Sequence, residues 1–108
     1  MRLAVGEARA LAVRVLTVLG YEPSEALLIA DHLIDCELRG LNFAGLARVV
    51  SIAERLGRIG HRGEPVRIEK ETPVSARIDG GDGIGYLVAY RATEMAIAKA
   101  LVSGIAIV

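Results

Sequence analysis

Arg48 stands three residues beyond the run Asn42-Phe43-Ala44-Gly45. A guanidinium is planar, permanently charged, and presents paired N–H donors at the spacing of a carboxylate's oxygens. The chemistry open to such a residue at the start of a helix is therefore the grip of a small organic acid. A helix N-terminus favours anions and gives the guanidinium itself no gain. It can, however, add free N–H groups to the grip on a carboxylate. On the residues alone, an ordinary solvated arginine is the expectation.

A second cluster is His32, Asp35 and Cys36. Their i, i+3, i+4 spacing brings all three to one helical face at a separation that a metal could use. Asp31, Glu37 and Arg39 crowd the same stretch, and the only other histidine is His61. A hydrogen-bonded surface histidine is the expectation, with no bound metal. Cys36 reads as a small core residue. As a lone cysteine it forms no internal disulfide, which agrees with a reducing compartment.

The third candidate is Gly80-Gly81-Asp82-Gly83-Ile84-Gly85, placed between a strand pattern and a helix pattern, where a dinucleotide fingerprint would lie. The spacing fails. Gly81 and Gly83 would need a glycine where Tyr86 stands, and Gly83 and Gly85 would need one where Val88 stands. A turn whose glycines supply positive φ is the expectation.

The elements that must position these residues divide the chain by period. Ala8, Leu11, Ala12, Val15, Leu16 and Leu19 line one face of a helix from Glu7 to Leu19, which Gly20 stops. Pro23 and Ser24 open a second helix through about Leu38, ended by Gly40. Asn42 is the expected N-cap of a third, carrying Arg48 about two turns in and running to about Leu56. The period then changes. Val66 to Glu69 and Val74 to Asp79 alternate apolar with polar as two short strands around Thr72-Pro73, and Tyr86 to Leu101 returns to helical spacing. Ile105-Ala106-Ile107-Val108 reads as the beginning of a strand buried on both faces. The fold class is α/β (mixed): a three-helix segment over residues 3–60, then β-β-α-β over 61–108 as the start of an α/β domain.

Composition narrows the function classes. Thirteen basic and thirteen acidic residues cancel, with no stripe of Lys or Arg, so the electrostatic footprint of nucleic-acid binding is absent. Charges interrupt every apolar stretch and no leader pattern opens the chain, so no membrane partner and a cytoplasmic location are expected. The chain is nevertheless 53% hydrophobic with mean hydropathy +0.44 and few aromatics. Such an apolar excess needs covering.

The run Ala30-Asp31-His32-Leu33-Ile34-Asp35-Cys36-Glu37-Leu38-Arg39-Gly40 resembles the "ADHLVDAELRG" helix of the type-2 malate/L-lactate dehydrogenase family. Glu71-Thr72-Pro73, Ile78-Asp79-Gly80, Gly83 to Gly85 and Ala96-Ile97 to Gly104-Ile105-Ala106 resemble it further, in order and with similar gaps. That family also includes ureidoglycolate, diketogulonate and sulfolactate dehydrogenases and piperideine-2-carboxylate reductases. The resemblance implies a longer protein with a non-Rossmann NAD(P)-binding oxidoreductase fold, a homodimer, and NAD or NADP contacts beyond Val108. It implies no turnover by these residues alone.

In the family, a "DSHG" turn follows the helix, its Ser and His acting as proton relay and general acid, with an Arg gripping the substrate carboxylate. Here Asn42 stands for the Asp, Phe43 and Ala44 replace the Ser-His pair, and Gly45 and Arg48 match. The tyrosine often found four residues after the Arg is Ile52. No catalytic acid remains, and the expected substrate-binding residues are Asn42, Phe43, Gly45 and Arg48. Reducing a ketone builds charge on oxygen that a general acid must neutralise, whereas an iminium already carries its proton. The expected substrate is thus a small 2-oxo/2-hydroxy acid or, given the lost acid, a cyclic imino acid. The alternative is an inactive homologue that binds or assembles.

Overall fold

The structure, a computed structural model, describes residues 2–108, in two compact units, one extending to Arg62 and the other spanning Gly63–Val108. The first contains α1 (Val5–Val18), α2 (Pro23–Leu38), a single 3₁₀ turn (Asn42–Ala44) and α3 (Arg48–Ile59). The second contains β1 (Arg67–Thr72), β2 (Ser75–Asp79) and α4 (Gly85–Ser103). This is the mixed α/β class that the change of period implies.

The hairpin of α1 and α2 forms because each helix has an apolar stripe and a defined start. In both, a first-turn glutamate reaches back to an unpaired backbone donor. Ala4 N–H donates to Glu7 Oε2 at 3.3 Å and Glu22 N–H to Glu25 Oε2 at 3.1 Å. Pro23 begins α2, where its missing N–H costs nothing. Between the helices Gly20 turns the chain at φ 104°. The buried stripe is Ala8, Ala12 and Leu16 of α1 against Ala26, Ile29, Ala30, Leu33 and Ile34 of α2, and Ile52 of α3 joins this core. Alanines at four of these positions let the helices approach closely, and Leu16, Ile29 and Leu33 are completely buried. Each of those three contributes about 1.5–3 kcal/mol by leaving water.

In the second unit, β1 and β2 pair antiparallel across Pro73-Val74, with Thr72 opposite Ser75, Ile68 opposite Ile78 and an irregularity between Ile68 and Lys70. Here β1 runs on to Thr72, past the alternating Val66–Glu69 stretch that marks it in the sequence. Helix α4 packs on β2, and Lys99 ties it to the hairpin by donating to Glu71 Oε1 at 2.7 Å and the Thr72 carbonyl at 2.8 Å.

The structure corrects one expectation. The third helix does not begin at Asn42. Residues 42–44 form the 3₁₀ turn, Gly45 breaks it at φ −90° and ψ −145°, and α3 starts only at Arg48. The Ile105–Val108 run begins to pair as a strand: Ile107 bridges parallel to Ser75, giving its N–H to Val74 and accepting from Ala76.

Candidate functional site

Of the four residues expected to bind substrate, Asn42, Phe43 and Gly45 lie on the turn between α2 and α3, and Arg48 opens α3. Two short backbone bonds shape it: Ala44 N–H donates to the Leu41 carbonyl at 2.9 Å and Gly45 N–H to Asn42 at 3.3 Å. Asn42 and Phe43 are exposed, Phe43 to 74%, and Ala44 is half-buried. Gly45 is buried.

Arg48 is the first residue of α3 rather than a member of its second turn, and its side chain is exposed. The N–H groups that open this helix are not available to a ligand. Arg48, Val49 and Val50 donate to the carbonyls of Gly45, Leu46 and Ala47 at 2.9, 3.0 and 3.2 Å. The expected cooperation between guanidinium and free helix amides is therefore not offered here, since those amides are taken. No ion pair or hydrogen bond engages that guanidinium among the described residues, which leaves all its donors for an incoming carboxylate. Ile52, one helical turn on, faces the core.

Glu37, which sequence reasoning did not single out, holds this turn from α2. Its Oε1 accepts the Leu46 N–H at 2.9 Å. A Cβ placed on Gly45 would lie only 2.3 Å from that same oxygen and 2.5 and 2.6 Å from Cδ and Cγ. Gly45 is thus a glycine because the Glu37 arm fills the space of a side chain. The contact spans nine residues of sequence, so no helical or strand period reveals it.

The other two candidate clusters do different work. His32 and Cys36 approach at 3.7 Å, and Asp35 is turned to Arg39, whose Nε donates to it at 2.7 Å. Among the described residues no group of three potential ligands stands together. The glycine turn uses positive φ at Gly81 (62°) and Asp82 (58°). It is closed on itself: Gly81 N–H donates to Asp79 Oδ1 at 2.8 Å, Gly83 N–H to Gly80 at 3.0 Å, and Gly81's carbonyl accepts from Glu64 at 2.7 Å. The Gly81 amide first, and the Arg67 guanidinium second, hold the Asp79 carboxyl below its ordinary range. A phosphate brought here would meet that carboxylate and find these amides engaged, so the turn does not fit a dinucleotide.

Residues 3–108 match the malate/L-lactate dehydrogenase family. The chain belongs to that family. It is 39% identical over 97 residues to a malate dehydrogenase of Pyrococcus horikoshii, covering 89% of this chain and 27% of that protein. It is 36% identical over 104 residues to a malate/(S)-sulfolactate dehydrogenase of Methanothermus fervidus, covering 94% of this chain and 30% of that one. The solved malate dehydrogenase of Pyrococcus horikoshii superposes with a TM-score of 0.93 at 33% identity, over 99% of this chain and 31% of that structure. The chain therefore spans about three-tenths of the length of these dehydrogenases. Among the described residues no helix is long and apolar enough to cross a membrane.

Proposed function

We propose that this chain supplies the substrate-side turn of an NAD(P)-dependent oxidoreductase that acts on a small 2-oxo/2-hydroxy acid or a cyclic imino acid. The observation that carries this reading is the unpaired, exposed Arg48 guanidinium on a turn fixed at both ends. Membership of the dehydrogenase family, and relatives that act on malate and sulfolactate, support an acidic small substrate.

Arg48 binds and orients the carboxylate. Phe43, exposed on the preceding turn, offers an apolar face to a ring, and neither Phe43 nor Ala44 can donate a proton. That combination favours a substrate that arrives already protonated, an iminium, over a ketone. The contacts to NAD or NADP belong to parts of the protein outside these residues, because the glycine turn here does not fit a dinucleotide.

The test is Arg48→Ala in the complete dehydrogenase. Loss of a bidentate carboxylate grip is expected to raise KM for pyruvate and for a cyclic ketimine acid about 10- to 100-fold. An unchanged KM for both would remove Arg48 from the site. The absence of a proton donor also favours a second reading, a homologue that binds without turnover. Titration with NADH and NADPH separates the two, since a module of that kind binds neither.

A further inference from the structure

The geometry points to Glu37 as the positioning residue of the substrate turn, acting through Leu46 and Gly45 to fix the direction in which Arg48 leaves the helix. This rests on the reading of Arg48 as the carboxylate anchor.

The case begins with what the turn lacks. The helix that follows it has no side-chain cap at Ala47. The bonds holding residues 44, 45, 48, 49 and 50 all stay within the segment Leu41–Val50, and the Leu41 N–H bond to the Cys36 carbonyl at 2.9 Å fixes only the first end of the turn to α2. Glu37 attaches the other end. It lies in the last turn of α2, whose neighbouring residues Ile34 and Cys36 are buried, so its backbone is fixed by the core. Its carboxylate accepts the Leu46 N–H, two residues before Arg48. A hydrogen bond to an ionised acceptor is the stronger kind, and partial burial strengthens it further.

The surroundings suit a brace. Glu37 stands at a cavity of about 260 Å³ lined otherwise by Leu3, Val5, Ala8, Ile34, Leu38 and Leu46, an apolar setting that offers the carboxylate few other donors. The side chain cannot drift toward the turn, because it already occupies the space above the Gly45 Cα. Two independent features, a charge-assisted bond and a steric fit, set the same register between α2 and the turn. An arginine that must meet a carboxylate on two oxygens depends on such a register, since small misplacements weaken bidentate binding and orientation sharply.

The experiment has two readouts, each measured on variants of the complete dehydrogenase. The first readout is hydrogen exchange of the peptide containing Leu46. Glu37→Ala is expected to speed exchange at that amide about 10- to 100-fold, while Glu37→Gln, which keeps a carbonyl acceptor of the same shape, restores most of the protection. The second is the KM-against-kcat split with pyruvate and a cyclic ketimine acid as probes. Glu37→Ala raises KM about 10-fold with kcat changed less than about 2-fold, the signature of lost ground-state grip. Asp35→Ala, which removes an exposed pair with Arg39 on the same helix, changes neither.

Gly45→Ala approaches the contact from the other side and gives the same two changes. In the Glu37→Ala background it adds little, since the atoms that it would strike are gone. Exchange at Leu46 that does not respond to Glu37→Ala overturns the proposal. So does a KM that responds to Arg48→Ala and not to Glu37→Ala. A KM that ignores Arg48→Ala, with Leu46 exchange still governed by Glu37, counts against the anchor reading and leaves the brace standing.

Discussion

Restoring a proton donor to the turn should convert the substrate preference. The perturbation is Phe43→Ser with Ala44→His, placing a hydroxyl and an imidazole where this chain has neither. The backbone can accept both. Phe43 is 74% exposed, so losing its ring opens no cavity. Ala44 is anchored by its N–H bond to Leu41 at 2.9 Å, which the exchange of side chains leaves intact. A positioned general acid contributes about 10²- to 10⁴-fold, equivalent to roughly 2.7–5.4 kcal/mol of barrier. The new imidazole lacks surroundings selected to orient it, so the lower end, about 10²-fold in kcat/KM for pyruvate, is the expectation. The rate should also gain a dependence on the protonated imidazole, falling as pH rises through about 6.5. The assay is initial-rate oxidation of NADH or NADPH by the complete protein across that range. Turnover of a cyclic ketimine acid, which needs no donor, should change less than about 3-fold. An unchanged pyruvate rate, with the histidine shown to titrate and the protein folded, would refute the reasoning that a missing acid limits this site.

Three further outcomes follow from the packing and the charges. Leu33→Ala empties a completely buried position between α1 and α2 and should cost about 2.7–5 kcal/mol in denaturant unfolding; a cost below about 1 kcal/mol would contradict the packing described. Tyr21→Phe should leave stability unchanged or raise it by about 1 kcal/mol, because the buried Tyr21 hydroxyl has no partner among the described residues and burial pushes its pKa up. A clear loss of stability would reveal a partner for that hydroxyl. Asp79, held below its ordinary value by Gly81 and Arg67, stabilises the fold fully above about pH 3.8, and that contribution is lost as pH falls through its lower folded-state value. Asp79→Asn should therefore flatten the acid limb of a pH–stability profile, and an unaltered limb would exclude Asp79 as its source.

The residues differ in how openly they state their structure. Ala8, Ala12 and Leu16 show α1 because a helix buried on one face repeats its apolar residues at a fixed local spacing, and Gly20 ends it by a local conformational need. Asn42 misleads for a related reason. It is a good cap followed by a helical pattern, yet Gly45 departs from helical angles and the Glu37 carboxylate, which arrives from another helix, takes the Leu46 N–H, so α3 starts only at Arg48. At the site, the proposal that Arg48 binds a carboxylate rests on its chemistry and on the family resemblance. The occupation of the helix amides by Gly45, Leu46 and Ala47 is not legible in the sequence, since it depends on φ and ψ at a single glycine.

The most direct test of the account is the ratio of kcat/KM for a cyclic ketimine acid to that for pyruvate, measured by NADH and NADPH oxidation in the complete protein. With Arg48 as anchor and no proton donor at Phe43 or Ala44, the account predicts a ratio of about 10² or more. A clear preference for pyruvate would contradict it.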